Sequence, residues 1–486
     1  MDPVLFINPP LADSSQTRNF LPPTSLLYLA GTLKASGFAA RLLDLNLERP
    51  WQHAGDTAAD RLASAVHQAI AETRPGLIGI TCAFAGQFPR VRQLAAWCKA
   101  AAPDTPVVLG GTHPTLFPAE ILRHCPAVDF IVIGEGETQL RELVAHLATG
   151  GAAPLPADGF AYRDHGEIVV HPKTRFAADL DALPSPDYGL IRFPDYQRDV
   201  SAWYNPHGLP MPMAMPLVTS RSCPHRCPFC SMWLVMGPRF RARSAIHVAD
   251  EIQLLMEEHG QHFFYVMDDN FTFDKARILT LAEEVLRRGL RFQFMTPNGL
   301  NVRTLDRETV DALAAMGAIR ITLAIESGSD FIRNHIMRKG LPRERIFRAM
   351  DNLRRYPHIQ VMGFFIMGMP EETAATLEET VQLLDEIQLD GFQIFPVTPY
   401  PGTALFAQCL RDNLFLMEMD LPSLWEMDWL GYFSMRFFIK PYAMTIDELA
   451  ACKERFDALA SAASQRLAMR FSPGRAESPR PGPIAL

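Results

Sequence analysis

Two long stretches of this chain alternate short apolar segments with amphipathic ones, and that rhythm narrows the fold more than any other feature. In residues 1–150 the apolar segments are VLFINPP, ARLLDLN, LIGITC, PVVLGG and DFIVIGEGE. Each has the length of a strand and is bounded by Gly, Pro or Asp. TSLLYLAGTLKASG, DRLASAVHQAIAET, FPRVRQLAAWCKAAAPD and PAEILRHC separate them, and TQLRELVAHLATG follows. These repeat apolar residues three and four apart, the period of a helix buried along one face. Five strands with intervening helices predict an α/β unit, a doubly wound parallel sheet.

The rhythm resumes over residues 215–405 with PLVTS, FFYVMDDNF, FQFMTPNG, IRITLAIESG, QVMGFFIMGMP and GFQIFPVTP. Helical segments such as HVADEIQLLMEEHG and TLEETVQLLDEIQ lie between them. Six β/α units predict a parallel barrel, a partial one that need not close. Two such units suit 486 residues, which are too many for one core. Between them, residues 151–214 read as a hairpin around His165-Gly166 followed by an ordered connector rich in Pro, Tyr and Trp. Residues 406–471 read as a helical, aromatic and methionine-rich cap, and 472–486 have the composition of a disordered tail.

The bulk numbers exclude several classes of function. A net charge of -8 argues against nucleic acid as a partner, because phosphate-binding surfaces are basic. No apolar run reaches the roughly 20 residues that span a bilayer, and MDPVLFINPP lacks the regions of a signal peptide. Eight cysteines are too sparse for a disulfide framework, so the expected compartment is a reducing cytoplasm.

In parallel sheets, ligands sit beyond the carboxyl ends of the strands. In the first unit those ends are Asn8-Pro9-Pro10, Thr81-Cys82, Gly110-Gly111-Thr112-His113 and Gly134-Glu135-Gly136. Glycines at two ends let a backbone approach a large ligand closely, and they equally suit tight strand-to-helix turns. No G-x-G-x-x-G opens a helix, so a dinucleotide is not indicated. In the barrel, Asp268-Asp269-Asn270, Asn298, Glu326-Ser327-Gly328, Gly368 and Thr398 fall at strand ends. For Asp269 and Ser327 a plain helix N-cap is the competing reading.

Three of the eight cysteines, Cys223, Cys227 and Cys230, crowd into SRSCPHRCPFC directly after PLVTS. Structural zinc takes four Cys or His ligands, usually as two separated pairs. Here His225 is badly placed between the first two thiols, and no second C-x-x-C exists. A cubane iron–sulfur cluster normally has four cysteine ligands, so three in one loop leave one iron open.

This arrangement resembles the radical S-adenosylmethionine superfamily, whose signature is C-x-x-x-C-x-x-C with an aromatic residue, here Phe229, before the last cysteine. The resemblance covers residues 215–405, including PYPGT. It implies a 4Fe–4S cluster on Cys223, Cys227 and Cys230, with S-adenosylmethionine on the open iron. Reductive cleavage of that molecule gives a radical that abstracts hydrogen from an unactivated carbon. The resemblance places Asp268, Asp269 and Asn270 at its amino group, and Glu326 and Ser327 near its ribose and carboxylate. Gly368 and Val397 would flank the adenine, Phe229 would add an apolar contact, and Asn298 and Thr398 complete the expected site.

The first unit, with NPP, GGTHPT and VDFIVIGEGE, resembles the domain of the cobalamin-binding branch. That implies cobalamin held by Asn8, Pro9, Thr81, Gly110, Gly111, Thr112, His113, Gly134, Glu135 and Gly136. The D-x-H-x-x-G motif of other cobalamin folds is absent, so no histidine is expected on cobalt. The branch includes methylases acting on carbon or phosphorus and an anaerobic magnesium-porphyrin cyclase. The expected activity is methyl transfer to an unactivated carbon of a natural product, lipid or tetrapyrrole, with oxidative cyclisation as the alternative. The expected partners are a small-molecule substrate, large and apolar, and an electron donor such as flavodoxin or ferredoxin. Trp425, Trp429, Tyr432 and Phe433 could line a pocket for that substrate or simply pack the cap. Arg239, Arg241 and Arg243 could form a carboxylate patch or a solvated face.

Overall fold

The computed structural model describes residues 1–11, 21–48, 56–197, 204–419, 425–426 and 436–470. Its backbone forms two compact units. The first comprises Met1–Gln197, Met232–Pro238 and Glu418–Ser434, and the second Arg198–Ser231, Arg239–Met417 and Met435–Leu486.

The first unit is built on β1 (Val4–Asn8), β2 (Ala40–Asp44), β3 (Leu77–Thr81), β4 (Val107–Gly110), β5 (Phe130–Val132), β6 (Phe160–Asp164) and β7 (Glu167–His171). They lie in the order β2-β1-β3-β4-β5-β6-β7. The first five are parallel, as the sequence predicts, and the hairpin β6–β7 extends the same sheet antiparallel. Its turn uses the left-handed region at His165 and Gly166, with φ of 47° and 90°. The crossovers are α1 (Thr24–Ala35), α2 (Asp56–Thr73), α3 (Phe88–Ala101), α4 (Thr112–Leu116) with α5 (Pro118–His124), and α6 (Glu137–Ala148) follows β5. α7 (Met232–Met236) also belongs to this unit.

Successive strand side chains point to opposite faces, and both faces are covered. Leu5, Ile7, Ile78, Ile80 and Leu109 pack with Leu62, Val66, Val91 and Leu94. Val4, Phe6, Leu77 and Val108 pack with Leu26, Leu33, Leu140 and Leu143 on the other side. Each such side chain contributes about 1.5–3 kcal/mol when fully buried, which explains why these segments read as continuous apolar runs.

The second unit has six parallel strands, β8 (Met215–Leu217), β11 (Phe263–Val266), β12 (Gln293–Leu300), β13 (Ala318–Glu326), β14 (Gln360–Met367) and β15 (Gly391–Pro396). Their order is β15-β14-β13-β12-β11-β8, an open sheet among the described residues, as expected of a partial barrel. β9 (Ser220–Arg221) and β10 (Arg241–Ala242) make a short antiparallel ribbon. The helices are α8 (Ala245–His259), α9 (Lys275–Arg287), α10 (Arg307–Ala315), α11 (Arg343–Arg354), α12 (Ala374–Ile387), α13 (Ala404–Arg411) and α14 (Ile446–Arg470). Side-chain N-caps fix several starts: Asp274, Asp306, Thr373 and Thr403 each accept a first-turn N–H.

The stretch expected to form one C-terminal cap divides between the units. Trp425 is buried in the core of the first, edge-on to Phe88 at 5.8 Å and stacked on His124 at 5.2 Å. Of the two readings, these contacts are those of core packing. Trp429, Tyr432, Phe433 and the tail 472–486 lie outside the described residues. No described helix is long and apolar enough to cross a membrane.

Candidate active site

The three thiols lie on the loop between β9 and α7; none is in a disulfide, and all are partly exposed. What fixes this loop is the acidic end of β11. Asp268 is buried, and its carboxylate accepts the Thr219 N–H at 2.7 Å and the Thr219 and Ser220 hydroxyls at 2.5 Å each. Arg277 of α9 lies 4.0 Å from it and donates to Thr219 Oγ1 and to the Phe271 carbonyl. The Asp269 carboxylate accepts the N–H of Ser222 at 3.1 Å. Ser222 has a φ of 70°, a conformation costly for a non-glycine residue unless its surroundings hold it. Asn270 completes the set, its amide Nδ2 standing 3.4 Å from Cys223 Sγ.

The segment assigned from the sequence to the amino group of S-adenosylmethionine is thus engaged with the cysteine loop at every residue. Asp269 is not an N-cap; burial, with the Asp268 charge beside it, raises its pKa to about 6. The loop is tied elsewhere too. The Leu405 N–H donates to the Pro228 carbonyl at 3.0 Å, and Asn301 Nδ2 lies 2.9 Å from His225 Nε2. Burial pushes the Cys223 and Cys227 thiols up, with Asn270 opposing at the first and Lys339 at the second. Thiolates there depend on iron to take the place of the proton.

The remaining expected contacts line the other strand ends. Asn298, where β12 slips register, donates to the Met267 carbonyl at 2.7 Å. Glu326 ends β13 at a bulge with φ of 70° and accepts Lys339 Nζ at 3.0 Å. Ser327 is fully buried, and its hydroxyl accepts the Ser329 N–H at 3.2 Å. Gly368 and Val397 are brought together: a Cβ at Gly368 would lie 3.9 Å from Val397 Cγ1, and its φ is 87°. Thr398, like Phe229, is partly exposed. The arginine patch separates, because Arg243 is buried and pairs with Glu251, whereas Arg239 is exposed.

Sequence reasoning missed Lys339. Its ammonium lies within electrostatic reach of Cys223 and Cys227 as well as Glu326, and these charges outweigh burial in holding its pKa up. It follows Arg338, which has a φ of 54°. Nothing in MRKG marks it, since its role depends on the turn after the buried Arg333. That guanidinium donates to the carbonyls of Ser327, Gly328 and Leu341 and so folds the segment back.

At the carboxyl edge of the first sheet, Asn8 donates to Asp44 at 2.9 Å, and Asp44 also accepts Asn46 and the Tyr196 hydroxyl. Pro9 is buried, while Thr81 and Thr112 are partly exposed. Gly111 (φ 110°) is required by its own sheet, because a Cβ there would stand 2.4 Å from the Cys82 carbonyl. A Cβ at Gly134 would meet Val235 of α7 at 3.0 Å, and one at Gly136 would meet Val132 at 3.2 Å. Glu135 is buried and accepts the Ala177 N–H at 3.2 Å. Gly110 is different, for a Cβ there meets only Val132, at 4.0 Å. Phe84, three residues after β3, is 47% exposed. His113 lies in the core, its ring 4.3 Å from Phe88 and 5.2 Å from Phe117.

These residues fit the groups the sequence implies. The three partly exposed thiols of one loop have the donor chemistry of a multi-iron core. Asn270 Oδ1 is buried with no hydrogen-bond partner among the described residues, which suits a ligand ammonium at the open iron. The open backbone at Gly110 and the exposed Phe84 ring suit the broad apolar face of a corrin.

Residues 217–384 match the model of the radical SAM superfamily, and residues 15–144 match that of the B12-binding domain. An uncharacterized methyltransferase of Pyrococcus horikoshii is 29% identical, the match covering 81% of this chain and 80% of that one. The anaerobic magnesium-protoporphyrin IX monomethyl ester cyclase of Cereibacter sphaeroides is 27% identical over 92% of this chain and 68% of its own. Among solved structures, the radical S-adenosylmethionine methyltransferase TsrM of Kitasatospora setae, with cobalamin and a 4Fe–4S cluster bound, superposes with a TM-score of 0.71 at 19% identity. That superposition covers 93% of this chain and 90% of the other. The two domains bring with them a 4Fe–4S cluster, S-adenosylmethionine and cobalamin as cofactors. The chain thus carries a B12-binding domain ahead of a radical SAM domain, the combination its sequence resembles.

Proposed function

We propose that this enzyme transfers a methyl group to an unactivated carbon of a small-molecule substrate. The observation that carries the reading is the Asp268–Asn270 clamp on a three-thiol loop, in a chain that also has a B12-binding domain. When bound, the cluster with S-adenosylmethionine supplies a hydrogen-abstracting radical, and cobalamin supplies the methyl group.

The protein's share is to bind, orient and exclude water. Cys223, Cys227 and Cys230 hold the cluster. Asn270 and Glu326 orient the amino acid end and the ribose of S-adenosylmethionine, Glu326 being steadied by Lys339. Gly368 and Val397 flank the adenine, with the apolar side chains of Leu449 and Phe437 also close to Gly368. On the first unit, Gly110 and Thr81 present backbone to the corrin, and Phe84 presents an apolar ring. The electrons come from a small one-electron donor of the flavodoxin or ferredoxin kind, in a reducing cytoplasm. The substrate class is a natural product, lipid or tetrapyrrole.

Oxidative cyclisation is the second reading, favoured by the cyclase relative that matches 92% of the chain. Protein purified without oxygen should be brown and should cleave S-adenosylmethionine. Replacing all three cysteines by alanine should abolish both properties. Equal iron in the two proteins would refute the assignment.

A further inference from the structure

We propose that Asn270 sets the reduction potential of the cluster through an N–H···S hydrogen bond to Cys223, and is thereby a positioning residue for electron entry. The proposal rests on the assignment of the cluster to Cys223, Cys227 and Cys230.

The geometry has three parts. Asn270 Nδ2 stands 3.4 Å from Cys223 Sγ, a normal separation for a donor to sulfur. Asn270 is 2% exposed, so the donor side of the bond is shielded from water, which strengthens it. Its neighbours hold both ends of the contact: Asp269 grips Ser222, the residue before Cys223, and Asp268 grips Thr219 and Ser220. The Asn270 carbonyl accepts the Phe273 N–H at 3.2 Å, which pins the backbone on its other side.

The orientation of the amide follows from charge. A thiolate bound to iron has no proton to give, so the carboxamide must turn its NH2 to the sulfur and its oxygen away. That oxygen is the buried atom with no partner among the described residues. A hydrogen bond to a cluster sulfur stabilises negative charge there, and the reduced cluster carries one more negative charge than the oxidised one. The bond therefore favours reduction and raises the potential, as such bonds do in iron–sulfur proteins. Asn is also the residue type suited to the task. Asp in its place would match its shape and bring a repelling charge, and Ala would remove the donor.

The test is a potentiometric titration of the full-length protein with its cluster, followed by electron paramagnetic resonance in the absence of S-adenosylmethionine. Asn270→Ala and Asn270→Asp should bind the wild-type amount of iron, and both midpoints should move to more negative potential, Asp the further. Midpoints indistinguishable from wild type at full iron content would overturn the proposal. Should Asn270→Ala lose iron, the near-isosteric Asp variant carries the test. Electron–nuclear double resonance after exchange into D2O supplies a second readout. The reduced wild-type cluster should show one more exchangeable-proton coupling than Asn270→Asp, and identical couplings would also overturn the proposal. Absence of iron from the wild type would instead refute the cluster assignment, so the two failures are distinguishable.

Discussion

The Asp269 carboxylate accepts the backbone N–H of Ser222 at 3.1 Å, one residue before the first cysteine of the three-thiol loop. A side chain at the end of one strand thereby fixes the start of a loop that follows another. Removing it takes a hydrogen bond from a partly buried N–H at a position of φ 70°, a loss of about 1–3 kcal/mol. Asp269→Ala should release iron to a chelator several-fold faster than wild type. Asp269→Asn keeps an acceptor oxygen and should fall between them. Equal release from all three would show that the loop does not depend on this bond.

Gly110 and Gly111 separate two effects that the sequence alone could not. Space is open around a Cβ at Gly110, whereas at Gly111 it would collide with the Cys82 carbonyl. Gly110→Trp should abolish cobalamin absorption while leaving iron content and thermal melting as in wild type. Full corrin retention in that variant would remove Gly110 from the binding edge.

His113 makes the first unit sensitive to acid. Burial pulls its pKa down to about 3 from 6.5, against a weak opposing contribution from the Trp425 backbone. The unfolded chain therefore takes up a proton between those values that the folded chain refuses. The stability this group contributes is fully present above pH 6.5 and is lost as pH falls toward 3. Between pH 7 and pH 4.5 the loss should be on the order of 2 kcal/mol. His113→Leu should reduce the difference in denaturant midpoint between those two pH values, and an unchanged difference would assign the acid sensitivity elsewhere.

Trp425 is far from the first unit in sequence but buried in its core, with Glu426 bonded to Arg92 at 3.0 Å. Trp425→Ala should destabilise that unit by roughly 3–5 kcal/mol, seen as a lower unfolding midpoint. A midpoint within error of wild type would mean the residue packs loosely.

The contrast between Cys223 and Lys339 shows how much of this was legible in the sequence. The cysteines announce themselves because thiols at fixed short spacing have few structural uses. The eleven parallel strands were legible because strands buried on both faces are bare apolar runs between turn residues. Lys339 was not, since one lysine among 46 basic residues gains meaning only when a buried arginine turns its segment back on Glu326. Trp425 reads as pocket or packing until long-range contacts place it. The edge glycines read alike in sequence, and only the position of the Cys82 carbonyl shows that Gly111 serves the sheet itself.

The measurement that tests the central claim most directly is the ratio of products formed from S-adenosylmethionine during turnover of a substrate. Methyl transfer consumes one molecule for the methyl group and another for the radical. It therefore predicts S-adenosylhomocysteine and 5′-deoxyadenosine in equal amounts, each matching the methylated product. Turnover that yields 5′-deoxyadenosine without S-adenosylhomocysteine would contradict methyl transfer and establish the oxidative reading in its place.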